Sequence, residues 1–193
     1  MSAMPQVNTA PGVAALCARY GLAPEVSACA RPEHDPPAFV AALLEAEQYA
    51  GAVAFLAHAL PRREAIWWAW TCARRTTPPE RSPALQAALD ATERWLAQPA
   101  DSNRRPLLDI ARAADLGTPA GCAALAGFFT GGSIAPPENP DVPPPEFATA
   151  RAVAGSITLA AVSDPPQEAP ARFRQFVAQG LEVARRIKLW SPA

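Results

Sequence analysis

Apolar residues recur along this chain at spacings of three and four, the period of a helix with one buried face. Over residues 36–60, Phe39, Val40, Leu43 and Leu44 keep one register, and Tyr49, Val53, Leu56 and Leu60 keep a second. The change of register near Glu47 and Gln48 predicts two helices meeting in a tight turn. Residues 61–75 follow, with Glu64 early, Arg74 and Arg75 late, and an apolar centre of Ile66, Trp67, Trp68, Trp70 and Cys72. Acid at the start and base at the end suit the helix macrodipole. A helix apolar nearly all round is a central one.

Capping signals divide the rest. Pro11 opens a short helix that carries Val13, Leu16 and Tyr20 and ends at Gly21, after a loose arm over residues 1–10. Ser82-Pro83 starts a helix with Leu85, Ala88, Leu89, Thr92, Trp95 and Leu96 on one stripe. A helix over residues 102–116 buries Leu107, Ile110 and Ala114 and is closed by Gly117. Thr118-Pro119 caps the next, with Cys122, Leu125, Phe128 and Phe129 inward. A helix over 146–162 has Gly155 for close approach, and a final one buries Phe173, Phe176, Val177, Gly180, Leu181, Ala184 and Ile187. Between residues 131 and 145 lies a loop with six prolines. Such long connections are either functional or straps over the helices, and the sequence leaves both open.

The 193 residues, half of them apolar, suffice for one core. The expected architecture is all-α, a compact bundle of about seven or eight helices with the Trp-rich helix central. Its parts are an N-terminal arm with a short helix (1–35) and a single helical domain (36–190). Small residues along residues 49–60 resemble the second helix of a tetratricopeptide hairpin, but no second copy follows. The formal charge is −1, with one lysine, Lys188, which gives no reason to expect nucleic acid as partner. No stretch reaches the ~18 apolar residues of a membrane span, and no signal-like N-terminus is present, so a cytoplasmic protein without membrane insertion is expected.

Candidate chemistry is sparse. Cys17, Cys29, Cys72 and Cys122 form no CxxC pair and read as reduced, structural thiols. Cys17, Cys29 and His34 match no common zinc spacing, so no metal is expected. His58 falls off its helix's apolar stripe, which predicts an exposed imidazole without a nucleophile beside it. Glu45 and Glu47 face different sides of a helix. No phosphate-binding glycine motif occurs, and Gly131-Gly132-Ser133 reads as a helix end. Trp67, Trp68 and Trp70 fit a cation cage or, more simply, a core. No cofactor is indicated.

Three blocks carry a resemblance. Residues 59–69, ALPRREAIWWA, the segment GGSIAPP at 131–137 and TARAVAG at 149–155 resemble, in order, a family of small uncharacterised bacterial all-helical proteins. Phe128-Phe129-Thr130 departs from that pattern, where an aromatic pair with Trp and a Ser is expected. The resemblance implies an accessory or adaptor role in type VI secretion; the lack of assembled chemistry, the peptide-binding type of hairpin and the long proline loop point to a non-enzymatic protein that binds another protein. On that reading the candidate binding residues are Arg63, Glu64, Trp67, Trp68, Gly131, Gly132, Ser133, Pro136 and Pro137, with no catalytic residue. The rival is a small-molecule-binding or enzymatic domain with a polar pocket beside Trp68.

Overall fold

A computed structural model describes residues 12–78 and 82–190; the arm expected at residues 1–10 lies outside them. Local chemistry sets the helix ends. Gly21, at φ 63°, stops α1 (Val13–Tyr20), and a single turn, α2 (Pro24–Ser27), follows. The Asp35 carboxylate accepts the Ala38 N–H at 2.7 Å and starts α3 (Pro36–Glu45). Glu47, at φ 56°, turns the chain into α4 (Tyr49–Ala59), as the register change predicts. Pro61 leads into α5 (Arg62–Thr76), and the Ser82 hydroxyl caps α6 (Pro83–Ala97).

The helix expected over 102–116 is two pieces, α7 (Asp101–Arg104) and α8 (Leu107–Ala113). Pro106, with no N–H to donate, falls at the break. Asp115, at φ 67°, reverses the chain and accepts the Gly117 N–H, so Gly117 does not itself close the helix. The Thr118 hydroxyl caps α9 (Pro119–Phe128). After the proline loop come α10 (Ala148–Ala161), a 3-10 turn at Pro166–Glu168, and α11 (Ala169–Arg186).

Among the described residues every regular element is helical, and eight of the α-helices span eight residues or more. The fold is an all-α bundle. At its middle α5 and α10 pack on each other and both touch α9 and α11. Around them α4 leans on α10 and α11, α6 and α8 close over α9, and α3 backs α4. Val13 and Cys17 of α1 and Val26 of α2 join the same core.

Several faces differ from expectation. On α9 the small residues Ala120, Ala123, Ala124 and Gly127 are buried, and Cys122 and Leu125 are only half-buried. Small side chains let neighbouring helices come close: a Cβ on Gly127 would lie 2.6 Å from Leu107. Gly155 is not needed for close approach, because a Cβ there meets only Cys122 Sγ at an ordinary 3.7 Å. On α11, Leu181 is half-buried and Ile187 is exposed beyond the helix end.

Candidate functional site

The residues singled out on α5 have separate tasks. Trp68 is wholly buried, and its indole N–H donates to the Phe176 carbonyl at 2.8 Å. It fits because α11 has Gly180 opposite: a Cβ there would come within 2.9 Å of the indole ring. Trp70 is buried on another side and donates to Leu89 O at 3.0 Å. Trp67, expected in the core with them, is 40 % exposed. It borders a shallow groove against α11 with Glu64, Gln179, Val183, Arg186 and Ile187. At that rim Glu182 is pulled down to about 2 by hydrogen bonds from Arg185 and Arg186.

Arg63 donates through Nε and Nη2 to Leu96 O, at 3.1 and 2.6 Å, tying down the carbonyl end of α6. Beside it Arg62 Nη1 donates to Thr130 O at 2.5 Å, just past the end of α9. The same region holds a buried charge that the sequence did not single out. The Arg104 side chain is 5 % exposed. Its guanidinium donates to Phe128 O at 2.8 Å, to Ser133 O at 3.0 Å and to Asp101 Oδ1 at 2.7 Å, and it lies 5.4 Å from the Phe128 ring centre. Asp101 also accepts from Arg105 Nε at 2.6 Å, and Arg105 Nη1 reaches Ala135 O at 3.0 Å. The bonds from Arg105 and then Arg104 hold the Asp101 carboxyl below its ordinary range.

These bonds make a base for the proline loop. The Ser133 hydroxyl, itself buried, accepts the N–H groups of Ala135 and Val142 at 3.1 and 3.0 Å, and Ile134 N–H donates to Val142 O at 2.8 Å. Gly132, at φ 63°, takes a conformation that L residues rarely adopt, with Arg104 where a Cβ would go. Residues 136–143 stand on this base and are exposed throughout.

The nine candidate residues therefore divide among several places. Arg63, Gly131 and Gly132 share a cleft of about 410 Å³ with Arg62 and Arg104. Glu64 and Trp67 border the α5–α11 groove. Pro136 and Pro137 line a third hollow, of about 620 Å³, with Leu108, Phe128 and Ile134. Trp68 and Ser133 are buried in the bundle and in the loop base.

The chain matches a family of unknown function, DUF6931, over residues 39–184. It belongs to that family. No curated protein and no solved structure matches it. The DUF6931 span runs from α3 into the last turns of α11, so it takes in the arginine cleft and the whole proline loop.

Other chemistry in this DUF6931 chain is muted. Among the described residues no group of three His, Cys, Asp or Glu side chains is placed to hold a metal. Cys17 and Cys72 are buried free thiols, and Cys29 and Cys122 are half-buried ones. Burial pushes the Cys72 thiol far up, out of reach of thiolate chemistry near neutral pH. His58 is not the exposed imidazole expected. Its ring stacks 5.1 Å from Tyr20 and lies 5.3 Å from Phe147, and Nδ1 donates to Ala54 O at 2.7 Å. Its Nε2 is buried without a hydrogen-bond partner.

Proposed function

We propose that this DUF6931 protein is a non-enzymatic interaction module, an adaptor that presents its proline loop to another polypeptide. One observation carries the reading: residues 136–143 are exposed while their base is tied down by a buried arginine and a buried serine. Ordering these eight residues, which cover almost no core, costs backbone entropy. Proline lowers that cost by restricting the unfolded chain, and it leaves an extended, pre-organised edge. The Val142 side chain is 47 % exposed although its backbone is held at the base, and the hollow beside Pro136 and Pro137 offers apolar wall to a partner strand.

The finer reading, an accessory role in type VI secretion, rests on the resemblance of the three sequence blocks. For the rival reading, a pocket beside the Trp-rich helix, the candidate place is the open groove at Trp67 and Glu64, since the Trp68 indole itself is enclosed. A photo-cross-linking residue at Pro137 or Val142, introduced in the source cell, tests the adaptor role. A discrete adduct from both positions, and none from Glu93 on the exposed face of α6, is the expected outcome. Folded variants that give no adduct at either position would sink the reading. An adduct unrelated to secretion components would sink only the finer part.

A further inference from the structure

We infer that the cleft between Arg62, Arg63, Arg104 and the glycines 131 and 132 takes a carboxylate carried by the partner polypeptide. The inference rests on the interaction reading above and names the chemistry that the partner must bring. Two elements deliver guanidiniums to this one place, the start of α5 through Arg62 and Arg63 and the end of α7 through Arg104; next to it Arg105 shares Asp101 and holds Ala135 O at the foot of the proline loop. Arginine in a first helical turn opposes the macrodipole, so positions 62 and 63 are not explained by α5 itself. The bonds from Arg62 and Arg63 to Thr130 O and Leu96 O explain part of their placement.

Those bonds leave donors over. Arg62 commits only Nη1, and Arg63 commits Nε and Nη2 to a single carbonyl. Among the described residues neither has a carboxylate within ion-pair distance, whereas Arg104 and Arg105 share Asp101. The carbonyl ends of α6 and α9 carry about half a negative charge each. With Asp101, which Arg105 also shares, they offset about two of the three guanidinium charges in the cleft. A positive surplus therefore remains in a cleft open to solvent, on a protein whose formal charge is −1.

The planar fork of arginine pairs with carboxylate through two parallel N–H bonds, a fit that lysine lacks. A nucleic acid draws its affinity from a row of phosphate contacts, and this basic spot is a single cleft with Asp101 at its edge. The cleft also lies at the foot of the exposed tip, so one partner strand can touch both.

The test is titration of the full chain with hexaglutamate at low salt, followed by NMR of the Gly131 and Gly132 amides and the arginine Nε–H groups. Saturable shifts at these groups, absent with hexaglutamine, are expected. Arg62→Gln should weaken binding about tenfold, the loss of one charge-assisted pair, and Arg112→Gln on α8 should not. If Arg62→Gln fails to fold, the shifts in the parent chain decide. Absence of shifts at Gly131 and Gly132 overturns the inference. So does tighter binding of inorganic phosphate or of a thymidine decanucleotide than of hexaglutamate. Hexaglutamate binding with no cross-link from Pro137 or Val142 removes the adaptor reading alone. Cross-links without hexaglutamate binding remove only the carboxylate site.

Discussion

Trp67 and Trp68 are neighbours in the chain, but a helix turns about 100° per residue, so their rings leave α5 on different sides. Trp68 meets α11 and donates to Phe176 O; Trp67 meets solvent. Replacing Trp68 with Ala removes a filled volume and a buried hydrogen bond, and should cost ~3–5 kcal/mol in urea unfolding. Trp67→Ala should stay within about 0.5 kcal/mol of the parent. Equal losses in the two variants would contradict these placements. His58 gives a pH-dependent expectation. Burial lowers its proton affinity, the hydrogen bond to the Ala54 carbonyl opposes this, and Arg151 adds a smaller push in the direction of burial. An unfolded chain takes up this proton near the ordinary value of 6.5, and the folded chain does so only at lower pH. The unfolded state then binds more protons, so stability should fall as pH drops below about 6.5 and level off below the folded pKa. The stability difference between pH 7.5 and pH 5 should shrink in His58→Phe; an unchanged difference would assign the effect to other groups.

At the scale of the element, the proline loop is two things in one segment. Its base is structural, and its tip is a surface. Gly132→Ala would impose a left-handed conformation on an L residue and press a Cβ within 2.8 Å of Arg104 Nη2. A loss of about 2 kcal/mol is expected, readable as a lower urea midpoint. Replacing residues 136–145 with a flexible linker should cost no more than about 1–2 kcal/mol, because the segment covers little core and Val142 bonds to the base through its backbone alone. Unfolding of the linker variant would show that the tip, too, is structural. The sequence singled out the loop by its prolines and glycines but not the arginine beneath it. Arg104 sits in a polar stretch, and it is the packing of the chain that brings the carbonyls of Phe128 and Ser133 to its guanidinium. Asp101 three residues before it, on the same side of one turn, was the one available hint.

At the scale of the whole molecule, the four cysteines are free thiols. The melting temperature should therefore not change on adding reductant; a fall of several degrees would reveal a stabilising disulfide. Charge gives a similarly plain picture: ion pairs such as Glu182 with Arg185 and Arg186 lie on an exposed helix face, where such pairs contribute little. The bundle itself was legible in the chain. Apolar spacing, proline after a capping hydroxyl, and a glycine or a change of register at the ends are local signals, and α1, α3 to α6 and α11 obey them. Local signals say which residues can be buried, not which neighbour buries them. Hence Leu125 and Cys122 of α9 lie partly outside while its alanines pack, Trp67 is left at a groove, and His58 is covered by Tyr20 of α1 and Phe147. The arginine cleft belongs to the same class. Its side chains come from positions 62, 63 and 104, and its floor from 130 to 132. No spacing along the chain relates those segments; the packing of α5, α7 and α9 does. Burial propensity is a property of each residue, and the sequence by itself determined that much. Adjacency across the chain depends on how helices choose partners, and only the tertiary structure decided it.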